Sequence, residues 1–99
     1  YESAKQYLQK AISLNKNSSL HYLDMAKVNV ARDDRKLAQK NLLKAKEIEP
    51  RNPKILDFLI ENSIILGIKD EAKAFLKEFQ QQNPENPKII EWKEKIKKI

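Results

Sequence analysis

The sequence predicts an all-α fold of about six helices, and three observations carry that prediction. The 99-residue chain has one glycine, and 34% of its residues are charged, a composition typical of long helices with solvated outer faces. All four prolines fall in two near-identical phrases, PRNPKI at 50–55 and PENPKI at 84–89, which lie 34 residues apart. Before each phrase, apolar residues recur at intervals of four and three, which is the spacing of one buried helical face.

The first helix is predicted over residues 1–14. Its buried face follows the same small, large, small order as the faces that precede the two proline phrases. That order places the start of the chain inside a repeat, so we expect a longer parent protein with at least one upstream repeat. The helix would then lack a neighbour over part of its apolar side, which makes it a candidate for self-association. Its predicted face consists of Ala4, Leu8, Ala11 and Leu14.

The next two helices are predicted over residues 19–31 and 35–48. Ser18 or Ser19 is the expected N-cap of the first, because a serine hydroxyl can accept a hydrogen bond from an otherwise unpaired N–H group. Residues 32–34 form the turn, where two aspartates suit a turn and a helix start better than a metal loop. The predicted buried face of the second helix consists of Ala38, Leu42, Ala45 and Ile48.

A second pair of helices is predicted over residues 53–66 and from about 69 to 82. Pro53 suits the first position of a helix, where its missing N–H group costs nothing. Gly67 is the expected left-handed C-cap, and Asp70 and Glu71 fall in the first turn of the following helix, where negative charge is favourable. The predicted buried face of that helix consists of Ala72, Leu76, Phe79 and Gln82.

The last helix is predicted over residues 87–99 and has two unlike sides. One side carries apolar residues that are expected to pack back on the preceding helices: Ile89, Trp92, Ile96 and Ile99. The other side is mostly polar and is expected to remain in water, which is what a terminal helix of an array requires: Ile90, Lys93, Glu94 and Lys97.

The pattern resembles the tetratricopeptide repeat, a helix-turn-helix unit of 34 residues. The first full copy matches at Ala38, Leu42, Ala45 and Pro50, and the second at Gly67, Ala72, Leu76 and Pro84. The copies depart from the family at three clear positions: Lys16 replaces the terminal proline, Asp33 the turn glycine, and Phe79 a small residue.

This resemblance implies a fold and a division of the chain. The fold would be a right-handed superhelix of antiparallel helix pairs, an α-solenoid that ends in a capping helix. Residues 1–18 would be the second half of a repeat, and 87–99 the capping helix. The two full repeats would span residues 19–52 and 53–86.

Catalysis is not expected from this sequence. The chain has no cysteine, its single glycine precludes a glycine-rich phosphate loop, and its only histidine, His21, has no visible catalytic partner. We therefore predict a protein that is not an enzyme and that uses neither a cofactor nor a metal. No apolar run approaches the length of a membrane span, and the lack of cysteine leaves the cellular compartment open.

A protein-interaction scaffold is the function that the resemblance implies. In this family the first helix of each repeat lines a concave groove that docks a peptide or helix of a partner. Leu23, Phe58, Ile65 and Trp92 would be apolar anchors among charged residues there, although Phe58 and Trp92 would equally suit packing between repeats. The predicted groove residues are Leu20, Leu23, Lys27, Lys54, Asp57, Phe58, Glu61, Ile65, Lys88 and Trp92.

Three other interpretations follow from the same residues. Some members of the family grip an acidic chaperone tail, but Leu23 and Phe58 stand where that clamp needs lysine and asparagine. The net charge of +6 and the lysines of the second helices would suit nucleic acid or another anionic polymer, although such a run is more often a solvated face. A purely architectural spacer or oligomerisation element is the third. We favour a protein or peptide partner over nucleic acid.

Overall fold

The computed structural model describes residues 18–99 and contains only helices over that range, with no strand among those residues. The all-α prediction is therefore confirmed. The predicted helix over residues 1–14 and its proposed self-association lie outside the described residues. The helices are α1 (Ser19–Ala31), α2 (Arg35–Ile48), α3 (Pro53–Leu66), α4 (Lys69–Gln82) and α5 (Lys88–Lys97).

The chain divides into two compact units at Pro50. In the first unit α1 packs against α2. In the second unit α3 packs against α4, and α5 contacts both of them. The bounds of the first four helices coincide with the predicted ones.

In the first unit, the turn between α1 and α2 combines a left-handed residue with a helix cap. Asp33 has φ of 62°, a left-handed conformation that aspartate adopts more readily than most side chains. Asp34 is the N-cap of α2, and its carboxylate accepts a hydrogen bond from the backbone N–H of Leu37 at 3.1 Å. Both aspartates are thus turn and helix-start residues, as predicted.

The start of α1 has a serine at the N-cap as predicted, but without the expected hydrogen bond. Ser18 occupies the N-cap position, but its side chain makes no capping hydrogen bond. Ser19 is buried, and its hydroxyl donates to the carboxylate of Glu49, just after α2. The serine therefore ties the beginning of α1 to the end of α2, a contact that antiparallel packing makes available and that local sequence does not reveal.

The core of the first unit is built on small residues of α2. Ala38, Leu42 and Ala45 are fully buried, which confirms three of the four residues predicted for this face. A buried polar pair crosses the two helices, since the side-chain amide of Asn41 donates to the side-chain oxygen of Asn29 at 2.7 Å. Pairing of this kind compensates for removing the amide of Asn29 from water.

In the second unit, the ends of α3 agree with prediction. Asn52 caps the helix by accepting a hydrogen bond from the backbone N–H of Lys54 at 3.0 Å, and Pro53 is the first helical residue. Gly67 has φ of 73° and ends α3 in the left-handed conformation. Hydrogen bonds from the N–H groups of Gly67 and Ile68 to carbonyls of the last turn satisfy groups that would otherwise be unpaired.

The predicted buried face of α4 needs one correction. Ala72, Leu76 and Phe79 are buried, whereas Gln82 is exposed. Gln82 is the last residue of the helix, so its amide reaches water without a desolvation cost.

The last helix is shorter than predicted and runs from Lys88 to Lys97. Its apolar side is buried at Ile89, Trp92 and Ile96, but Ile99 is exposed beyond the helix end. The N–H groups of Lys98 and Ile99 bond to carbonyls three residues back, which tightens the final turn instead of continuing the helix. The polar side is solvated as expected, and Ile90 on it is 73% exposed.

Candidate functional site

All ten predicted groove residues lie on α1, α3 or α5, and none lies on α2 or α4. The members on α3 and α5 belong to the second unit, where the packing of these two helices brings several of them together. The members on α1 belong to the first unit. The second unit therefore holds the part of the predicted site that can be described as one surface.

An ion pair joins α3 to the start of α5. The ammonium of Lys88 donates to the carboxylate of Asp57 at 2.8 Å. The hydrogen bond and the charge of Asp57 raise the pKa of Lys88 above its usual value of 10.5, with smaller contributions from Glu61 and Glu91. Both partners were predicted to line the groove.

Trp92 is buried and its ring packs inside the second unit. It is 1% exposed, and it meets Phe79 edge to face with ring centroids 4.9 Å apart and planes at 83°. The ammonium of Lys88 lies 5.8 Å from the centroid of the indole, within range of a cation–π attraction. Trp92 is thus not a protruding anchor, and the alternative interpretation of it as a packing residue describes its position.

A pocket with a volume of about 350 Å³ lies between α3 and α5. It brings together three predicted residues, Glu61, Ile65 and Trp92. Ile65 is 60% exposed, so its side chain stands at the surface beside the pocket, while Phe58 on the same helix is half-buried. The apolar part of the predicted surface is accordingly concentrated at Ile65.

Two further residues, Ile64 and Lys95, line this pocket and were not among the predicted groove residues. A signal for both was present in the sequence, because Ile64 lies three residues after Glu61 and Lys95 three after Trp92, one helical turn along each face. Lys95 also pairs with Glu91 at 3.1 Å on the exposed side of α5.

On α1, in the first unit, the predicted residues differ in accessibility. Leu20 is 59% exposed, whereas Leu23 is buried in the core. Lys27 is exposed and lies 4.0 Å from Asp24, one turn earlier on the same helix. Leu20 and Lys27 therefore remain surface residues, and Leu23 belongs to the packing of the unit.

His21 is half-buried on α1. Its Nδ1 atom is buried and has no hydrogen-bond partner among residues 18–99. Across the same range, no group of three or more histidine or acidic side chains is placed to hold a metal ion.

No helix in the described part of the chain is long and apolar enough to cross a membrane. Comparison of the chain with protein-family models and with curated protein sequences finds no match.

Proposed function

We propose that this chain is a tetratricopeptide-type interaction module that docks a peptide or helix of a partner protein. Two helix pairs whose corresponding helices begin 34 residues apart support the family proposal, as do left-handed turn residues at Asp33 and Gly67, also 34 residues apart. The proposal includes a right-handed superhelix in which α1, α3 and α5 line the concave side. The observation that carries the function is the apolar surface of α3 at Ile65, beside the pocket that α3 and α5 form.

The chemistry of this surface favours an amphipathic partner segment. Ile64 and Ile65 supply apolar contact, and a pocket of about 350 Å³ has room for one large apolar side chain. Glu61 and Lys95 place opposite charges at its edges, so polar groups on either side of an inserted side chain would find a complement. A helix or extended peptide with a single leucine-sized anchor meets these requirements.

A matched pair of substitutions tests this proposal. Ile65→Lys and Ile90→Lys make the same chemical change at two exposed isoleucines, one beside the pocket and one on the polar side of α5. Peptides selected from a displayed random library on the 99-residue chain would be measured against both variants by fluorescence anisotropy. We expect Ile65→Lys to weaken binding by at least about tenfold, or about 1.4 kcal/mol, and Ile90→Lys to leave it unchanged.

Equal binding to wild type and to the Ile65→Lys variant would remove this surface as the site. A selection that yields only binders insensitive to Ile65 would favour the architectural alternative. Leu23→Ala is unsuitable for this test, because truncating a buried leucine destabilises a fold by about 2–5 kcal/mol and would mimic a loss of binding.

A further inference from the structure

A second groove in the second unit lies between α4 and α5, and its volume is about 400 Å³. Leu76 of α4 and Ile96 of α5 lie at its base and form a small apolar floor, with 6% and 3% of their surface exposed. The α5 wall of this groove is made by Lys93 and Lys97, whereas the pocket described above meets α5 at Trp92 and Lys95. The two cavities therefore use different sides of α5.

Five lysines surround this groove, and no carboxylate lines it: Lys69, Lys73 and Lys77 from α4, with Lys93 and Lys97 from α5. Lys97 lies 3.7 Å from Glu94, an exposed pair that screens little of its charge. The other four make no ion pair with any of residues 18–99. Four of the five lysines around the groove thus have no carboxylate partner among residues 18–99.

The spacing of these lysines disfavours the fold that carries them. Lys69, Lys73 and Lys77 recur every four residues along α4, and Lys93 and Lys97 do so along α5. Like charges at this spacing repel each other on a helix surface. An anionic occupant would relieve that repulsion on both walls at once.

The apolar floor restricts which anionic occupant fits. A nucleic acid backbone would use the lysine ammonium groups, but it would leave the aliphatic stems of the lysines and the small exposed parts of Leu76 and Ile96 without an apolar partner. The furrow between two packed helices is instead the shape into which the side-chain ridge of a third helix fits. An occupant that matches the groove needs a narrow apolar stripe with acidic residues on both flanks.

We propose that the groove between α4 and α5 binds an acidic amphipathic helix of a partner protein. Apolar side chains of that helix, spaced by three and four residues, contact Leu76 and Ile96. Its aspartates or glutamates on one flank pair with Lys69, Lys73 and Lys77, and those on the other flank with Lys93 and Lys97. The sequence alone suggested that Lys93 and Lys97 simply keep one side of α5 in water, but α4 supplies a facing wall of the same charge.

The test uses the 99-residue chain and a designed peptide of about 18 residues, long enough to form a helix with a leucine stripe flanked by glutamates. Affinity is measured by fluorescence anisotropy for wild type and two double charge reversals. Lys73→Glu with Lys97→Glu alters both walls of the groove. Lys36→Glu with Lys40→Glu makes the same charge change on exposed lysines of α2. We expect the groove variant to bind at least about tenfold more weakly and the α2 variant to change by less than about twofold.

Several results would overturn the proposal. Equal weakening by both double reversals would reduce the effect to diffuse attraction by net charge. Unchanged affinity for a peptide whose leucines are replaced by glutamines would show that the apolar floor takes no part. Tighter, groove-dependent binding of a single-stranded RNA of similar charge would make this a polyanion site. Dimers in sedimentation velocity that only the groove variant disrupts would make the occupant a second copy of this chain.

The outcome is separable from that of the proposed function. Ile65 does not line the α4–α5 groove, so the Ile65→Lys variant is expected to bind the acidic peptide as wild type does. Circular dichroism of both charge-reversal variants should be unchanged, because every substituted lysine is exposed.

Discussion

The two helix pairs reach similar backbone geometry with different residues at the connecting turn. Asp33, between α1 and α2, has φ of 62°, and Gly67, 34 residues later between α3 and α4, has φ of 73°. A left-handed conformation costs a residue with a side chain about 1–2 kcal/mol, and glycine nothing comparable. The antiparallel pairing of the helices therefore sets the conformation of the turn, and glycine only lowers the free energy cost of adopting it.

At the beginning of the second helix of each pair, the first pair has the better suited residue and the second pair the poorer one. Asp34 caps α2 with a side-chain hydrogen bond, whereas the residue at the N-cap of α4, Ile68, has no group that could do so. In α4 the negative charges of Asp70 and Glu71 in the first turn act on the exposed N–H groups instead. Each connection thus has one well-suited feature and one poor one, which shows how degenerate copies can retain the same geometry.

Among residues 18–99 a third helix, α5, occurs only in the second unit, and replacing Trp92 is the largest test of its contribution. Trp92→Ala removes the edge-to-face contact with Phe79 and is expected to destabilise the unit by about 3–5 kcal/mol. Helix content followed by circular dichroism in urea would measure the loss. Hydrogen exchange should accelerate more in α3, α4 and α5 than in α1 and α2. Lys93→Ala, at the exposed neighbouring position, is the control and should change stability little.

The small residues of the second helices test whether the two pairs are packed alike. Ala38→Leu and Ala72→Leu each insert three heavy atoms at a fully buried position and should cost about 1–3 kcal/mol through overpacking. Ala74→Leu makes the same change at an exposed position of α4 and should be nearly neutral. Urea unfolding of the three variants compares them. A small effect at only one of the two buried alanines would mean that its pair has room that the other lacks.

Substitutions at the two turn residues, Asp33 and Gly67, test directly how much each left-handed conformation costs. Gly67→Ala places a side chain at φ of 73° and should cost about 1 kcal/mol, while Asp33→Gly should gain up to about 1 kcal/mol. Thermal unfolding would register these changes as opposite shifts in Tm. A destabilised Asp33→Gly variant would show that the aspartate side chain contributes more to its turn than its backbone conformation costs.

The ion pair of Lys88 gives the smallest expected effect. Because its pKa is raised, the folded state holds this proton more tightly than the unfolded chain. The stabilisation is fully present below pH 10.5 and is lost as the pH rises through the raised value. Lys88→Met should lower the free energy of unfolding slightly at neutral pH, by an amount that shrinks as salt is added. The variant should also lose less stability than wild type as the pH becomes alkaline. Lys54→Met, at the matching position of the first proline phrase, is the control and should leave that alkaline loss unchanged.

The described part of the fold follows closely from sequence because its signals are local. Asn52, Pro53 and Gly67 each act through the backbone of their own few residues, so their roles could be predicted without knowing any tertiary contact. The end of α5 was less predictable, since no glycine or proline marks where the helix stops after Lys97.

The candidate sites were less predictable, because a helical stripe does not state which of its members another helix covers. Leu20 and Leu23 lie on the same predicted stripe of α1, yet the first is exposed and the second buried. Packing of α5 against α3 and α4 removed Trp92 from the surface and added Ile64 to a pocket. Periodicity gives the direction in which a side chain points but not what lies there.

By itself, the sequence determined the all-helical fold, the bounds of four helices and the caps of α3 at Asn52 and Gly67, since these depend on interactions within a few residues. Only the tertiary structure decided that Ser19 bonds to Glu49, that Lys88 pairs with Asp57, and that lysines of α4 and α5 face one groove. Those contacts join residues far apart in the chain. They exist because packing of apolar faces fixes where each helix lies, and no local preference specifies that position.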